Sequence, residues 1–385
     1  MSIVDEPDPY ELWREARASC PVGKVADEDV SGGREVWWVT RFADVEHVLR
    51  DGDTFSSRIN DETMGPVMGT TLIAMDGAEH RRHRDLVAKA FRPSAVERWG
   101  EELIRPTTVA LLERIARRGD RRADLVADLT HRYPVQIIAA ILGVPVEDHE
   151  LFQEWAEGIN HGPTDLSRSL PASKAMTEYL RPIVEARRAA PTDDLLSDLV
   201  TAEVDGHTLD EEHLYGFLRL LLPAGAETTY RMLGSLLHSL LTHPDALEEV
   251  RVDRTLVGAA IEETLRFETS VTIVNREPLD DADVGGCIVP AGVSLLVATG
   301  SANHDESRYA RPDEWDLHRP PTPHLAFGTG RHQCLGMHLA RLELRIALEE
   351  VLDRLPGLRL DPDDPVPPIT GFAFRSPARL PVVFD

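Results

Sequence analysis

The chain has 385 residues and a formal net charge of -25. That length allows a large core, and that acidity argues against nucleic acid or an anionic membrane as a general partner. Cys20, Cys287 and Cys334 form no CxxC pair or disulfide framework, so a reduced, cytoplasmic setting is expected. Met1 to Pro7 carry acid and proline without the apolar stretch of a signal peptide, and no apolar run is long enough to span a bilayer.

Taken in order, the first element is a short sheet around Glu35 to Thr40 (EVWWVT), rich in strand formers. Helical spacing predicts helices over 43–50, 79–91, 94–118, 120–143, 147–160, 171–189 and 193–202. Between two of them, GPTDLSRSLP at 162–171 predicts a mobile, lid-like loop. A long helix is expected from Asp210 to Leu241, then helices at 244–250 and 253–267. Strands are expected at 271–276, 287–289 and 294–298. A proline-rich approach from Arg311 to Pro323 leads to a helix from Leu335 to about Leu355, and a strand-and-turn tail follows from Leu358. No repeat or Gly/Ser linker interrupts the chain.

The chemistry concentrates in a few stretches. Phe327-Gly-Thr-Gly-Arg-His-Gln-Cys334-Leu-Gly336 wraps glycines around one thiol just ahead of a helix. Unpaired N–H donors and the positive helix end should favour its thiolate, which suits an iron porphyrin. A lone buried cysteine is more often inert packing, so the neighbouring residues decide. In LRLLLPAGAETTY (Leu218 to Tyr230), Pro223 and Gly225 must distort the helix just before Glu227 and Thr228. Alone, that pair would read as a threonine bonded to a carbonyl beside a solvated carboxylate. Glu263 and Arg266 share a helix face at i,i+3, as do His80 and Arg84 at i,i+4.

Phe-x-x-Gly-x-His-x-Cys-x-Gly resembles the haem-ligand signature of the cytochrome P450 family, and Ala224-Gly-Ala-Glu-Thr-Thr229 resembles its oxygen-activation motif. Glu263-Thr-Leu-Arg266, completed by Arg319, is similar to the family's structural ion-pair network. The resemblance implies a mainly α (α+β) single-domain fold over 1–385, helix-rich with small peripheral sheets around a buried haem. Its β-rich N-terminal part would cover roughly 25–75, and its helical core and haem loop roughly 76–355. It implies haem b with Cys334 as axial iron ligand, contacted by Phe327, Gly336, His80, Arg84, Arg276 and His332. Thr228 would donate a hydrogen bond to dioxygen, and Glu227 would relay protons from solvent. Leu220, Ala224, Val271 and Phe372 would line a substrate pocket, with help from 58–72 and 158–175. Three positions depart from the family pattern: Pro223 replaces an aliphatic residue, and Gly77-Ala78 and Thr269-Ser270 stand where prolines are common.

The activity implied is that of a soluble bacterial haem-thiolate monooxygenase, hydroxylating or epoxidising a hydrophobic small molecule in secondary metabolism or catabolism. O2 would be the co-substrate. Electrons would come ultimately from NAD(P)H through a separate ferredoxin or flavodoxin-like donor, and a monomer is expected. Arg81, Arg82, Arg331, Arg341 and Arg345 form a candidate docking patch for that donor. Alternatives are a peroxide-driven peroxygenase, a haem-thiolate isomerase, or a non-catalytic haem protein that binds or senses a ligand. The acid–alcohol pair argues against the first two. A zinc site is disfavoured because His332 and Cys334 lack further ligands at suitable spacing.

Overall fold

Apolar spacing builds the helices, as in Phe42–Arg50, which buries Phe42, Val45, Val48 and Leu49 along one face. The computed structural model describes residues 6–25, 34–160 and 162–385. Its helices are α1 (Tyr10–Ser19), α2 (Phe42–Arg50), α3 (Ile59–Met68), α4 (Gly77–Ala88), α5 (Pro93–Trp99), α6 (Arg105–Ala116), α7 (Tyr133–Ile141) and α8 (His149–Asn160). After these come α9 (Leu166–Ala189), α10 (Leu195–Val200), α11 (Glu211–Leu221), α12 (Thr228–Thr242), α13 (Pro244–Val252), α14 (Val257–Phe267), α15 (Thr299–Ala302) and α16 (Met337–Arg354). Among these residues no helix is long and apolar enough to cross a membrane.

The main core lies where α12 packs on α14 and α16, α16 on α6, and α7 on the junction between α11 and α12. That junction, Leu222–Glu227, is a wide π turn. Pro223 has no N–H to give the carbonyl four residues back, so a regular helix cannot continue through it.

A five-stranded sheet has the order Val22–Lys24, Val36–Val39, Ser294–Val297, Val274–Pro278, Phe55–Ser56. Its N-terminal strands are thus completed by segments far along the chain. Val36–Val39 runs parallel to Ser294–Val297, and Arg276 stands opposite Leu295. The stretch 25–75 is less β-rich than expected. It holds two short strands and the helices α2 and α3, while 26–33 lie outside the described residues.

Two expected elements are corrected. The helix expected over 120–143 starts late and in pieces: Arg122–Asp124 is a strand paired with Pro381–Val383, Val126–Thr130 is a π turn, and α7 starts at Tyr133. Asp124 causes the break, because its Oδ1 accepts from the N–H groups of Val126 and Leu380. The loop over 162–171 shrinks to one tight turn, Gly162–Asp165, and α9 starts at Leu166 with Pro171 inside it. The Ser169 hydroxyl closes that turn on the Gly162 carbonyl at 2.8 Å, and Ser173 anchors α9 to the Val67 carbonyl at 2.6 Å.

Candidate active site

The loop before α16 is shaped by its glycines. Gly328 and Gly330 have φ of +62° and +75°, which favours glycine. A Cβ on Gly330 would also stand 2.4 Å from the Leu49 carbonyl oxygen of α2, so only hydrogen fits there. The turn closes through the Cys334 N–H, which donates to the Phe327 carbonyl at 2.8 Å. Cys334 is exposed, while Leu339 and Leu344 farther along α16 are buried. Protein crowds the sulfur on its other sides, and burial pushes the thiol above its ordinary value. The Gly336 N–H and the Arg84 and Arg341 guanidinia pull the other way without winning. α16 begins three residues past Cys334, and the Gly336 N–H is the backbone donor that favours the thiolate.

Around this loop gathers a set of cationic and hydrogen-bonding side chains from three elements. His80 of α4 is buried, and its ring centroid lies 4.2 Å from that of His332. Neither Nε2 has a hydrogen-bond partner among the described residues, although both atoms are buried. His332 Nε2 stands 3.9 Å from Asp76 Oδ1, too far for a hydrogen bond. Burial, with the positive charges of His332, Arg84 and Arg331, pushes His80 down to about 3. Arg84 reaches the Gln333 carbonyl at 2.7 Å. Arg276 arrives from the sheet and is buried, bonded among the described residues only to its neighbour's carbonyl at 2.8 Å, and burial pushes it down to about 10. A cavity of about 400 Å³ opens here, lined in part by His80, Arg84, Arg331 and Gln333.

These residues fit a haem. A buried guanidinium and buried imidazole nitrogens without hydrogen-bond partners are costly, and two propionates would satisfy them. Nothing lies within 4 Å of a Cβ built on Gly328 or Gly336, leaving an open face beside a reachable thiol. Phe327 is partly buried, with Arg341 4.6 Å over its ring.

At the wide turn, Ala224 is exposed between buried Leu222 and Ala226, and Thr228, one turn on, is half-buried. The Thr228 hydroxyl donates to the Ala224 carbonyl at 2.8 Å. Beside it, Glu227 is half-buried, held by Asn160 of α8 and by Arg231. Asn160 and Arg231 were missed in the sequence. Only the i,i+4 spacing of Arg231 from Glu227 signals that contact.

The ion-pair network forms as expected. Glu263 binds Arg266 through both oxygens at 2.8 and 2.9 Å, and Arg319 Nε at 2.9 and 3.0 Å. Both arginines then reach backbone carbonyls of the segment 303–314.

Among the proposed pocket residues, Leu220 is buried and Val271 half-buried. Phe372 is corrected: it packs against Trp13 of α1, ring centroids 5.8 Å apart, in a small separate core with Ala298. The exposed aromatic of that turn is Phe374. The basic patch is also corrected, since Arg331, Arg341 and Arg345 pair with Asp53, Glu262 and Glu349 at 2.6, 2.6 and 3.5 Å. Arg81 and Arg82 are exposed and make no ion pair among the described residues.

Comparison with known proteins agrees with this site. The family model described as Cytochrome P450 matches residues 30–378. A putative cytochrome P450, YjiB of Bacillus subtilis, is 35% identical over 91% of this chain and 88% of its own. The monooxygenase PikC of Streptomyces venezuelae is 35% identical over 92% of this chain and 85% of its own. The crystal structure of CYP109E1 from Bacillus megaterium superposes with a TM-score of 0.89 at 32% identity, covering 98% of this chain and 99% of that one. With a cysteine loop, a bent helix and an ion-pair hub arranged on that same fold, the chain belongs to the cytochrome P450 family and is an enzyme of its monooxygenase class.

Proposed function

We propose that the protein uses dioxygen and two externally supplied electrons to hydroxylate or epoxidise a hydrophobic small molecule, with haem b as its cofactor. When bound, the haem supplies oxygen activation, and thiolate ligation favours O–O cleavage. Cys334 provides the sulfur, while His80, Arg84, Arg276 and His332 offer donors for the propionates. The Thr228 hydroxyl, exposed on the bend, can turn its single proton from the Ala224 carbonyl toward dioxygen. Glu227 carries protons from the solvent side, handed along by rotation of its carboxylate. Leu220, Ala224 and Val271 present an apolar surface that orients substrate and excludes water.

The relatives support this reading. One is named mycinamicin IV hydroxylase/epoxidase, and CYP109E1 was crystallised in complex with testosterone. A ferredoxin or flavodoxin-like donor, working in the cytoplasm, fits a chain of this composition with exposed Arg81 and Arg82. A peroxide-driven enzyme or a haem sensor would leave Glu227 and Thr228 without a task.

The observation that carries the proposal is a reachable Cys334 thiol beside unpartnered buried donors. Cys334→Ser should abolish the red-shifted Soret band of the reduced carbon-monoxide complex. A variant that keeps that band would overturn the assignment.

A further inference from the structure

Arg219 sits near the end of α11, one residue before Leu220 and four before the proline of the wide turn. It is half-buried, and its Nε is fully shielded. Its guanidinium makes no hydrogen bond and no ion pair with any described residue. Other arginines with a shielded nitrogen, Arg98, Arg251 and Arg254, each keep a carboxylate.

The surroundings hold the group in place without satisfying it. The end of α3 lies directly against α11: a Cβ on Gly216 would stand 2.3 Å from the Thr70 carbonyl oxygen. Gly69, at φ +74°, has no side chain where a Cβ would stand 2.9 Å from Arg219 Nη2. The one carboxylate whose charge reaches it, Glu212, is bonded to the Thr70 hydroxyl at 2.7 Å. Burial pushes the guanidinium below its ordinary value, and Glu212 offsets only part of this. Five N–H donors are thus held at the junction of α3 and α11, next to a residue of the apolar pocket.

We propose that Arg219 is a substrate-binding residue for a carboxylate, so that the molecule oxidised is a hydrophobic monoacid. This rests on the monooxygenase reading and adds the chemical class of the substrate to it. A planar carboxylate meets a guanidinium through two parallel N–H···O bonds and restores the charge balance lost on burial. A neutral analogue leaves the donors unpaired, which is why such a site discriminates strongly.

The test uses the haem-loaded full chain and straight-chain saturated acids from decanoic to hexadecanoic, each against its methyl ester. Binding is read from the low-to-high-spin shift and, independently, by calorimetry. At least one acid should bind on the order of tenfold to a hundredfold tighter than its ester. Arg219→Gln should erase that preference and Arg219→Lys should keep part of it, each with an unchanged carbon-monoxide spectrum. A series with no acid preferred over its ester, including one in which nothing binds, would overturn the assignment, as would a preference that survives in Arg219→Gln. Loss of the carbon-monoxide signature in the unaltered protein would instead sink the haem-thiolate reading.

Discussion

Asn160, the last residue of α8, donates through Nδ2 to Glu227 Oε2 at 2.7 Å, while Arg231 Nε donates to the other oxygen at 2.8 Å. The carboxylate is thereby suspended between two helices, next to Thr228 and half-shielded from water. The proposed proton relay would start from this held carboxylate. Glu227→Gln should slow turnover by about tenfold to a hundredfold while haem content is unchanged. Thr228→Ala should retain haem and divert electrons to peroxide, measured as peroxide formed per NAD(P)H consumed. Full-speed turnover in the first variant, or tight coupling in the second, would count against these roles.

Glu263 is buried and serves two arginines and the Asp316 N–H at once. Removing its charge strands two guanidinia in a poorly hydrated place. Glu263→Gln should cost about 3–5 kcal/mol of stability, in the range measured for broken buried pairs. Urea unfolding followed by tryptophan fluorescence checks this. A loss below about 1 kcal/mol would mean that the backbone carbonyls around Arg266 and Arg319 suffice.

Glu262, on the same helix, gives a pH signature. Burial alone would raise it, but Arg341 and His324 outweigh burial and hold it at about 2, below the ordinary 4.5. Between those values the folded state binds fewer protons than the unfolded chain, so this site stabilises fully above pH 4.5 and progressively less toward pH 2. The urea midpoint should fall with acid through that window, and less steeply in Glu262→Gln. Parallel slopes in the two proteins would show that the pairing does not survive in solution.

Of the five arginines proposed to meet an electron donor, only Arg81 and Arg82 lack carboxylate partners among the described residues. Charge reversal at both should lower the second-order rate of reduction by a ferredoxin and flatten its dependence on salt, with the carbon-monoxide spectrum intact. Equal rates at low ionic strength would move the docking surface elsewhere.

Much of this could be read before the fold was known. Helices such as α2 and α8 follow from apolar spacing, and the bend at Pro223 from a missing N–H. What spacing cannot show is who arrives from far away. Asp53 and Glu262 cancel Arg331 and Arg341 only after folding. Phe372 belongs to the Trp13 cluster because the turn at Gly371, φ +120°, and the Thr272 hydroxyl bonded to the Phe372 carbonyl orient it there. At Cys334 the helix end is legible locally, whereas the burial that pushes the thiol up comes from residues far along the chain.

The π turn at Leu222–Glu227 has an evolutionary edge to it. Such a turn behaves as a helix carrying one surplus residue. A single-codon deletion of Pro223 would remove both the surplus residue and the missing N–H, letting the helix wind normally while the part beyond keeps its phase. What would go is the bulge that leaves Ala224 exposed between buried Leu222 and Ala226. The bend thus hangs on one codon rather than on the phase of the helix that follows it.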